Sequence, residues 1–238
     1  MNHLGKENSF SFQRAIPALN EGLKLIIRGG NKMKIERCEE ERVNHHVGIQ
    51  NHNTSFRVTD LKQSTQYDFE IVNHQKAILH TDGNECPQEV IEEFLFYSGF
   101  INHIETLEGT IIYHQPKKKV MKVPLLNIQP SQLYINEAKL NRLLTWIQKP
   151  EDIIIPIIEE GNQWISIDGH TRLKAAELLG FSEIYVYLGE YEPYIDDFVY
   201  FCQKEQKFNI RDLPIITNEA YQIKWCLFCE SYFKTKEI

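Results

Sequence analysis

The sequence predicts an α+β protein of more than one domain, because its pattern changes twice along the chain. The first part holds short alternating runs such as Thr54–Thr59 and Tyr67–Val72, separated by turn residues, which is typical of antiparallel strands. From Val120 onward, apolar runs suited to strands alternate with helical segments, as in a small α/β domain. The residues after 192 lack strand alternation and predict a helical tail.

These changes divide the 238 residues into four parts. Residues 1–84 are predicted to form an antiparallel β-sandwich-like domain, and residues 85–116 a connecting helix and linker. Residues 117–192 are assigned to the α/β domain and residues 193–238 to the helical C-terminal extension. A hydrophobic content of 42% is enough for packed cores that need neither a disulfide nor a metal to fold.

Within the α/β part, a helix is predicted over Thr171–Leu179, and four short apolar runs are predicted to be strands. The runs are Met121–Leu125, Ile153–Ile158, Trp164–Ile167 and Ile184–Leu188. Pro156 lies inside the second run, and because proline has no backbone N–H, it predicts an edge strand or a bulge there.

Charge and composition narrow the classes of function. The net charge of −7 argues against a dedicated DNA-binding domain, which usually has a basic face. Lys117–Lys119 with Lys122 form one basic cluster, interpreted as a solvated linker or strand start, with a phosphate-contacting patch as the alternative. No apolar run reaches membrane-spanning length, and Met1–Gln13 lacks the pattern of a secretory signal. We therefore expect a cytoplasmic protein with reduced thiols and no membrane association.

The cysteines and histidines do not predict a metal site. Cys226 and Cys229 form a C-x-x-C pair, but no second pair stands at ligand spacing, so we interpret them as packing residues of a helix. Eight of the nine histidines lie in the first 114 residues without a helical pair at metal-binding spacing. We expect these histidines on the surface.

The most informative segment is Asp168-Gly169-His170-Thr171-Arg172, between a predicted strand and a predicted helix. A helix N-terminus attracts anions, Gly169 lets the backbone approach a phosphate, and Arg172 can bind phosphate oxygens in a bidentate manner. His170 and Thr171 stand where further donors would lie. The alternative is an ordinary connection, with Asp168 as the N-cap and Arg172 in a surface ion pair.

This segment also carries a resemblance to a known family. Together with Val123–Pro130, Ile155–Ile158 and the helix that ends at Gly180, it resembles the ParB/sulfiredoxin superfamily, in the family's order. The resemblance implies a corner that binds a nucleoside triphosphate, ATP or CTP with Mg²⁺. ParB uses CTP at this corner, sulfiredoxin uses ATP, and free serine kinases use ATP or ADP.

Departures from the family pattern affect the expected activity. His170 stands where sulfiredoxin has its catalytic cysteine, so sulfinic acid reduction is not expected. Asp168, Gly169 and Arg172 match the free serine kinases, but Thr171 replaces their second histidine position. Gln132 stands where those kinases have a catalytic glutamate, and glutamine cannot act as a general base.

Two further segments resemble a group of uncharacterised ParB-like proteins from low-GC bacteria. These segments are Pro130–Ile135 and Ile210–Ile216. The resemblance implies that Gln132 is a regular feature of this group, and it implies no activity. Glu137 is the carboxylate close in sequence that could replace the missing glutamate.

A weaker resemblance lies in the N-terminal part. Leu61, Thr65 and Tyr67 resemble the L-x-P-x-T-x-Y pattern of fibronectin type III domains, with Gln63 at the proline position. It implies a β-sandwich, through which we expect the protein to bind a protein partner.

Three functions remain open. The first is a small-molecule kinase or NTPase, with Asp168 and Glu137 as candidate catalytic residues and Gly169, His170, Thr171, Arg172 and Gln132 as nucleotide ligands. The second is a nucleotide-sensing protein without efficient hydrolysis, and the third is a ParB-like DNA-associated adaptor, which the charge disfavours. Aromatic residues near the C-terminus are compatible with a homodimer.

Overall fold

The computed structural model describes residues 26–28, 31–37, 55–81, 85–161 and 163–236. These residues form helices and sheets together, so the α+β class is confirmed. The strands are β1 (Ile26–Arg28), β2 (Asn31–Arg37), β3 (Ser55–Asp60), β4 (Thr65–Ile71), β5 (Lys76–His80), β6 (His103–Thr106), β7 (Ile111–His114), β8 (Val120–Pro124), β9 (Ile128–Pro130), β10 (Ile135–Asn136), β11 (Ile154–Glu160), β12 (Gln163–Ser166), β13 (Glu183–Leu188) and β14 (Ile215–Ile216). The helices are α1 (Gln88–Tyr97), α2 (Glu137–Leu144), α3 (His170–Leu178), α4 (Tyr194–Lys204), α5 (Asn218–Tyr221) and α6 (Leu227–Lys236).

The first seven strands form one sheet in chain order, β1 to β7. Neighbouring strands are antiparallel except β5 and β6, which run parallel with α1 between them. A parallel pair needs a crossover connection, and α1 supplies it. Phe94 of α1 is fully buried and stacks on Phe69 of β4, with ring centroids 4.2 Å apart.

The prediction of a β-sandwich is therefore wrong for the described residues, because a helix, rather than a second sheet, covers the sheet. Residues 85–116 were predicted to be a connecting helix and linker, but they contribute α1, β6 and β7 to the same unit. The segment that resembles fibronectin type III forms an ordinary hairpin. Residues 61–64 make the turn between β3 and β4, and Tyr67 is buried in the core beneath α1.

The second sheet has five strands in the order β8-β13-β11-β12-β9. One face packs against α2 and α3 through a core that includes Ile155, Ile157 and Leu173, and the other face meets α4. The prediction of an edge strand or bulge at Pro156 is wrong, since β11 pairs with β13 on one side and β12 on the other. Pro156 lies one residue beyond the last β11–β12 pair, Ile157 with Ser166, so its missing N–H breaks no β11–β12 bond.

The C-terminal helices pack onto the α/β unit. The parallel pair β10–β14 ties the tail to the loop before α2. A turn of π-helix over Gln222–Cys226 joins α5 to α6. Phe198 of α4 and Trp225 of the π turn, whose ring centroids lie 5.5 Å apart, belong to an aromatic cluster, and Cys226 and Cys229 are buried within it.

The two sheets share part of one core. Ile154 of β11 and Tyr187 of β13 are buried against the N-terminal unit, and the rings of Tyr187 and Phe100 lie 6.1 Å apart. Within the described ranges, no helix is both long enough and apolar enough to cross a bilayer.

Replacing Phe94 by alanine should lower the free energy of unfolding by about 3–5 kcal/mol, because the substitution removes a buried aromatic ring and its stacking contact with Phe69. Urea denaturation followed by circular dichroism measures the change. Glu92→Ala, an exposed substitution on the same helix, is the control and should change stability by less than about 0.5 kcal/mol. Equal stability of the two variants would contradict a structural role for α1.

Candidate functional site

The predicted phosphate corner is the connection between β12 and α3. Gly169 is the N-cap of α3, with φ of +84°, and it offers no side chain to the first-turn N–H groups. The first N–H groups of a helix lack partners within the helix and carry the positive end of its dipole. The N–H groups of His170, Thr171 and Arg172 are therefore a potential anion cradle. Asp168, the N-cap in the alternative interpretation, precedes the cap position.

Position 169 requires glycine for two reasons: its φ is positive, and a β-carbon there would have no room. A β-carbon at Gly169 would lie 2.5 Å from Cγ2 of Ile155 and 3.1 Å from Nη2 of Arg172. Both distances are shorter than ordinary van der Waals contact. The start of α3 is therefore pressed against the central strand β11.

This close packing holds the guanidinium of Arg172 beside the helix N-terminus. Nη1 donates to the carbonyl of Ile154 at 2.9 Å, and Nη2 donates to Oδ2 of Asp168 at 3.2 Å. The Arg172 side chain is 24% exposed and the Asp168 side chain 58% exposed. Since a guanidinium has five N–H donors, these two bonds orient Arg172 and leave donors for an anion.

His170 is buried and has a structural partner. Its Nε2 accepts a hydrogen bond from the backbone N–H of Ser131 at 3.0 Å, and Oγ of Ser131 donates to the carbonyl of Ser166 at 2.7 Å. Burial is the main cause that lowers the pKa of His170 to about 4; the charge of Arg172 also lowers this pKa, whereas Asp168 and a hydrogen bond to the backbone of Ser166 raise it. His170 is therefore neutral at pH 7, and its Nε2 cannot donate to a phosphate as the sequence suggested. It fastens the loop after β9 to α3.

Of the remaining predicted residues, Gln132 lines the cleft, Thr171 lies in the first turn of α3, and Glu137 lies outside the cleft. Gln132 is buried, its side-chain amide donates to the carbonyl of Tyr134, and it lines the same cleft as Asp168 and His170. Thr171 is half-buried in the first turn of α3. Glu137 is exposed in the first turn of α2 and is not part of the cleft.

The cleft has one polar wall and one apolar wall. Ser131, Gln132, Asp168 and His170 form the polar wall, and the C-terminal helices form the apolar wall with Tyr194, Ile195, Phe198, Trp225, Cys229 and Phe233. The cleft encloses about 50 Å³, room for a few water molecules. A nucleotide bound at α3 must therefore extend outside this space.

The apolar wall was missed by sequence reasoning. The aromatic residues of α4 and α6 lie more than 20 positions after Arg172 and carry no motif. Their apolar spacing indicated packing, but it did not indicate the corner as a packing partner.

A further cation, Lys118, lies beside Tyr187, a residue whose hydroxyl is affected by the charges of the corner. Nζ of Lys118 lies 5.2 Å from the ring centroid of Tyr187. Burial raises the pKa of Tyr187 to about 12, and the charges of Arg172 and Asp168 act on its hydroxyl in opposite directions. The basic cluster predicted at Lys117–Lys119 is exposed, with Lys118 beside this tyrosine.

Metal-ligating side chains are not grouped at the corner. Among the residues that the structure describes, no set of three or more histidine, cysteine, aspartate or glutamate side chains is arranged to hold a metal ion.

Comparisons with known proteins add little to this geometry. No family model matches the chain, and no curated protein matches it. Among solved structures, the crystal structure of protein Atu1540 from Agrobacterium tumefaciens aligns with a TM-score of 0.31 and 14% identity. The alignment covers 42% of this chain and 64% of that one. A likeness this weak carries no argument about fold or function.

The substitution Gly169→Ala should destabilise the protein by about 2–5 kcal/mol, because the left-handed backbone and the contact with Ile155 both oppose a β-carbon. Gly180→Ala is the matched control: φ is +78°, but no atom lies within 4 Å of an added β-carbon. Gly180→Ala should lower the free energy of unfolding by about 1–2 kcal/mol. Urea denaturation of both variants measures the difference, and equal losses would rule out tight packing at the corner.

The buried His170 should make the protein less stable in weak acid. Its folded pKa of about 4 lies below the ordinary 6.5, so the unfolded chain binds the extra proton between these values. Stability should therefore fall as pH drops from about 6.5 to 4, by about 3 kcal/mol at most. Denaturation of wild type and His170→Gln at pH 7 and pH 4.5 measures this. A variant with the same pH dependence as wild type would exclude His170 as its source.

Proposed function

We propose that this chain binds the phosphate groups of a nucleoside triphosphate, ATP or CTP with Mg²⁺, at residues 168–172. The proposal rests on one observation. The uncapped N-terminus of α3 and the guanidinium of Arg172 lie side by side, and Arg172 is oriented by Ile154 and Asp168. Backbone N–H groups and an oriented arginine fork are the donors that protein phosphate sites use.

The strand and helix order supports a ParB/sulfiredoxin-like fold around this corner. The strands β11 and β12, the glycine turn at Gly169 and the helix α3 follow one another in the order expected from the resemblance. In this proposal Lys118 supplies additional positive charge on the side of the N-terminal unit.

Within this proposal, the cleft favours nucleotide binding without efficient turnover. Gln132, which the resemblance aligns with the kinase glutamate, lies in the cleft, and Glu137 lies outside it. Asp168 is the one carboxylate among the described residues that line the cleft, and it is paired with Arg172. A general base must lie within hydrogen-bond reach of the substrate proton, and the amide of Gln132 cannot act as one. We therefore favour a nucleotide-sensing protein over a kinase, with Asp168 positioned to hold Mg²⁺ or to orient Arg172.

Addition of the correct nucleotide should raise the melting temperature of the wild-type protein. A ligand at about 100 times its Kd adds about 2.7 kcal/mol if it binds only the folded state. The measurement is thermal denaturation with ATP, ADP or CTP plus Mg²⁺. Arg172→Ala should lose the stabilisation, because it removes a positive donor from the corner. Arg211→Ala, which removes an arginine whose side chain is 64% exposed, should keep it. If no nucleotide stabilises wild type, the proposal fails.

Turnover separates the two forms of the proposal. Phosphate release and phosphate transfer to free amino acids should stay at background level under conditions in which the nucleotide binds. Turnover that disappears in both Arg172→Ala and Asp168→Asn would instead identify the protein as a kinase or NTPase.

A further inference from the structure

Two histidines face each other across the hairpin of β6 and β7. His103 and His114 are direct partners in the strand register, and their Nδ1 atoms lie 3.3 Å apart. They are eleven residues apart in the sequence, so no short motif marks them. They are members of the histidine set that we expected only on the surface.

The separation of the two nitrogens matches that of two ligands on one metal ion. Imidazole nitrogens bind Zn²⁺ at about 2.0–2.1 Å in tetrahedral geometry, which places two such nitrogens about 3.4 Å apart. The two Nδ1 atoms are already at this spacing, so metal binding requires both rings to turn toward a shared point but does not require them to move apart.

Glu105 orients one of the two rings. Nε2 of His103 lies 3.1 Å from Oε2 of Glu105, and Lys76 forms an ion pair with the other carboxylate oxygen. A carboxylate that accepts the second N–H of an imidazole is the usual outer partner of a metal-bound histidine. With its Nε2 proton donated to Glu105, His103 presents an unprotonated Nδ1 toward His114.

We propose that His103 and His114 form a binding site for a divalent transition-metal ion, Zn²⁺, Cu²⁺ or Ni²⁺, with Glu105 as the residue that orients His103. Imidazole ligands suit these ions and not Mg²⁺ or Ca²⁺. In the metal-free pair His114 donates its Nδ1 proton to His103. Metal binding moves that proton to Nε2 of His114 through solvent, which frees both Nδ1 atoms for the metal ion. Water completes the coordination.

The position of the pair permits entry of an ion. The His103 side chain is 22% exposed, His114 is exposed, and β7 is the last strand of the described sheet. This site is independent of the phosphate corner, which lies in the α/β unit.

Calorimetric titration of the full chain with ZnCl₂, repeated with NiCl₂, tests the site. Wild type should bind one equivalent at least 10-fold more tightly than either His103→Ala or His114→Ala. His74→Ala, which removes a histidine outside the pair, should bind like wild type. Thermal denaturation without metal verifies that each variant is folded.

Glu105→Gln tests the orienting role, because it keeps both ligands. It should weaken Zn²⁺ binding by about 10-fold, the lower end of the effect of removing such an outer carboxylate. Nitrogen-15 spectra of the imidazoles should show that Zn²⁺ shifts the Nδ1 signals of both His103 and His114. Wild-type affinity in either histidine-to-alanine variant would overturn the proposal.

Discussion

The close contact between Gly169 and the central strand β11 determines the geometry of the corner. At this position an added β-carbon would lie 2.5 Å from the side chain of Ile155, so α3 begins directly against the sheet. This closeness allows Arg172 to reach the carbonyl of Ile154. It also places His170 inside the protein, where it accepts a hydrogen bond from Ser131. The orientation of the arginine and the burial of the histidine are thus two consequences of one packing constraint.

The C-terminal helices give the corner its second wall. Phe198 and Trp225 pack within an aromatic cluster that borders the polar residues of the cleft. Because its volume is small, the cleft has no room for a bulky ligand, and the exposed side chain of Asp168 marks the accessible part of the corner. An aromatic wall of this kind shields the buried side of the cleft, where His170 lies, from solvent. Residues that carry no motif therefore influence the chemistry of the residues that do.

The N-terminal unit is joined to the α/β unit through a shared core. Tyr187 lies between Phe100 of one unit and the Asp168–Arg172 pair of the other, and Lys118 lies over its ring. In the N-terminal sheet itself, the parallel step between β5 and β6 requires α1. That step brings β6 and β7 into the sheet, and with them the facing histidines.

The sequence by itself determined the α+β class and the corner in which Asp168 to Arg172 join a strand to a helix. Local signals sufficed for these features, since alternation, apolar runs and a glycine before a helix act over a few residues. Only the tertiary structure decided that the N-terminal part is one sheet covered by a helix and that Pro156 lies in a central strand. It also decided that His170 is a neutral acceptor, that Glu137 lies outside the cleft, and that His103 meets His114. Each of these depends on contacts between distant parts of the chain, and the periodicity of a single segment does not specify its partner.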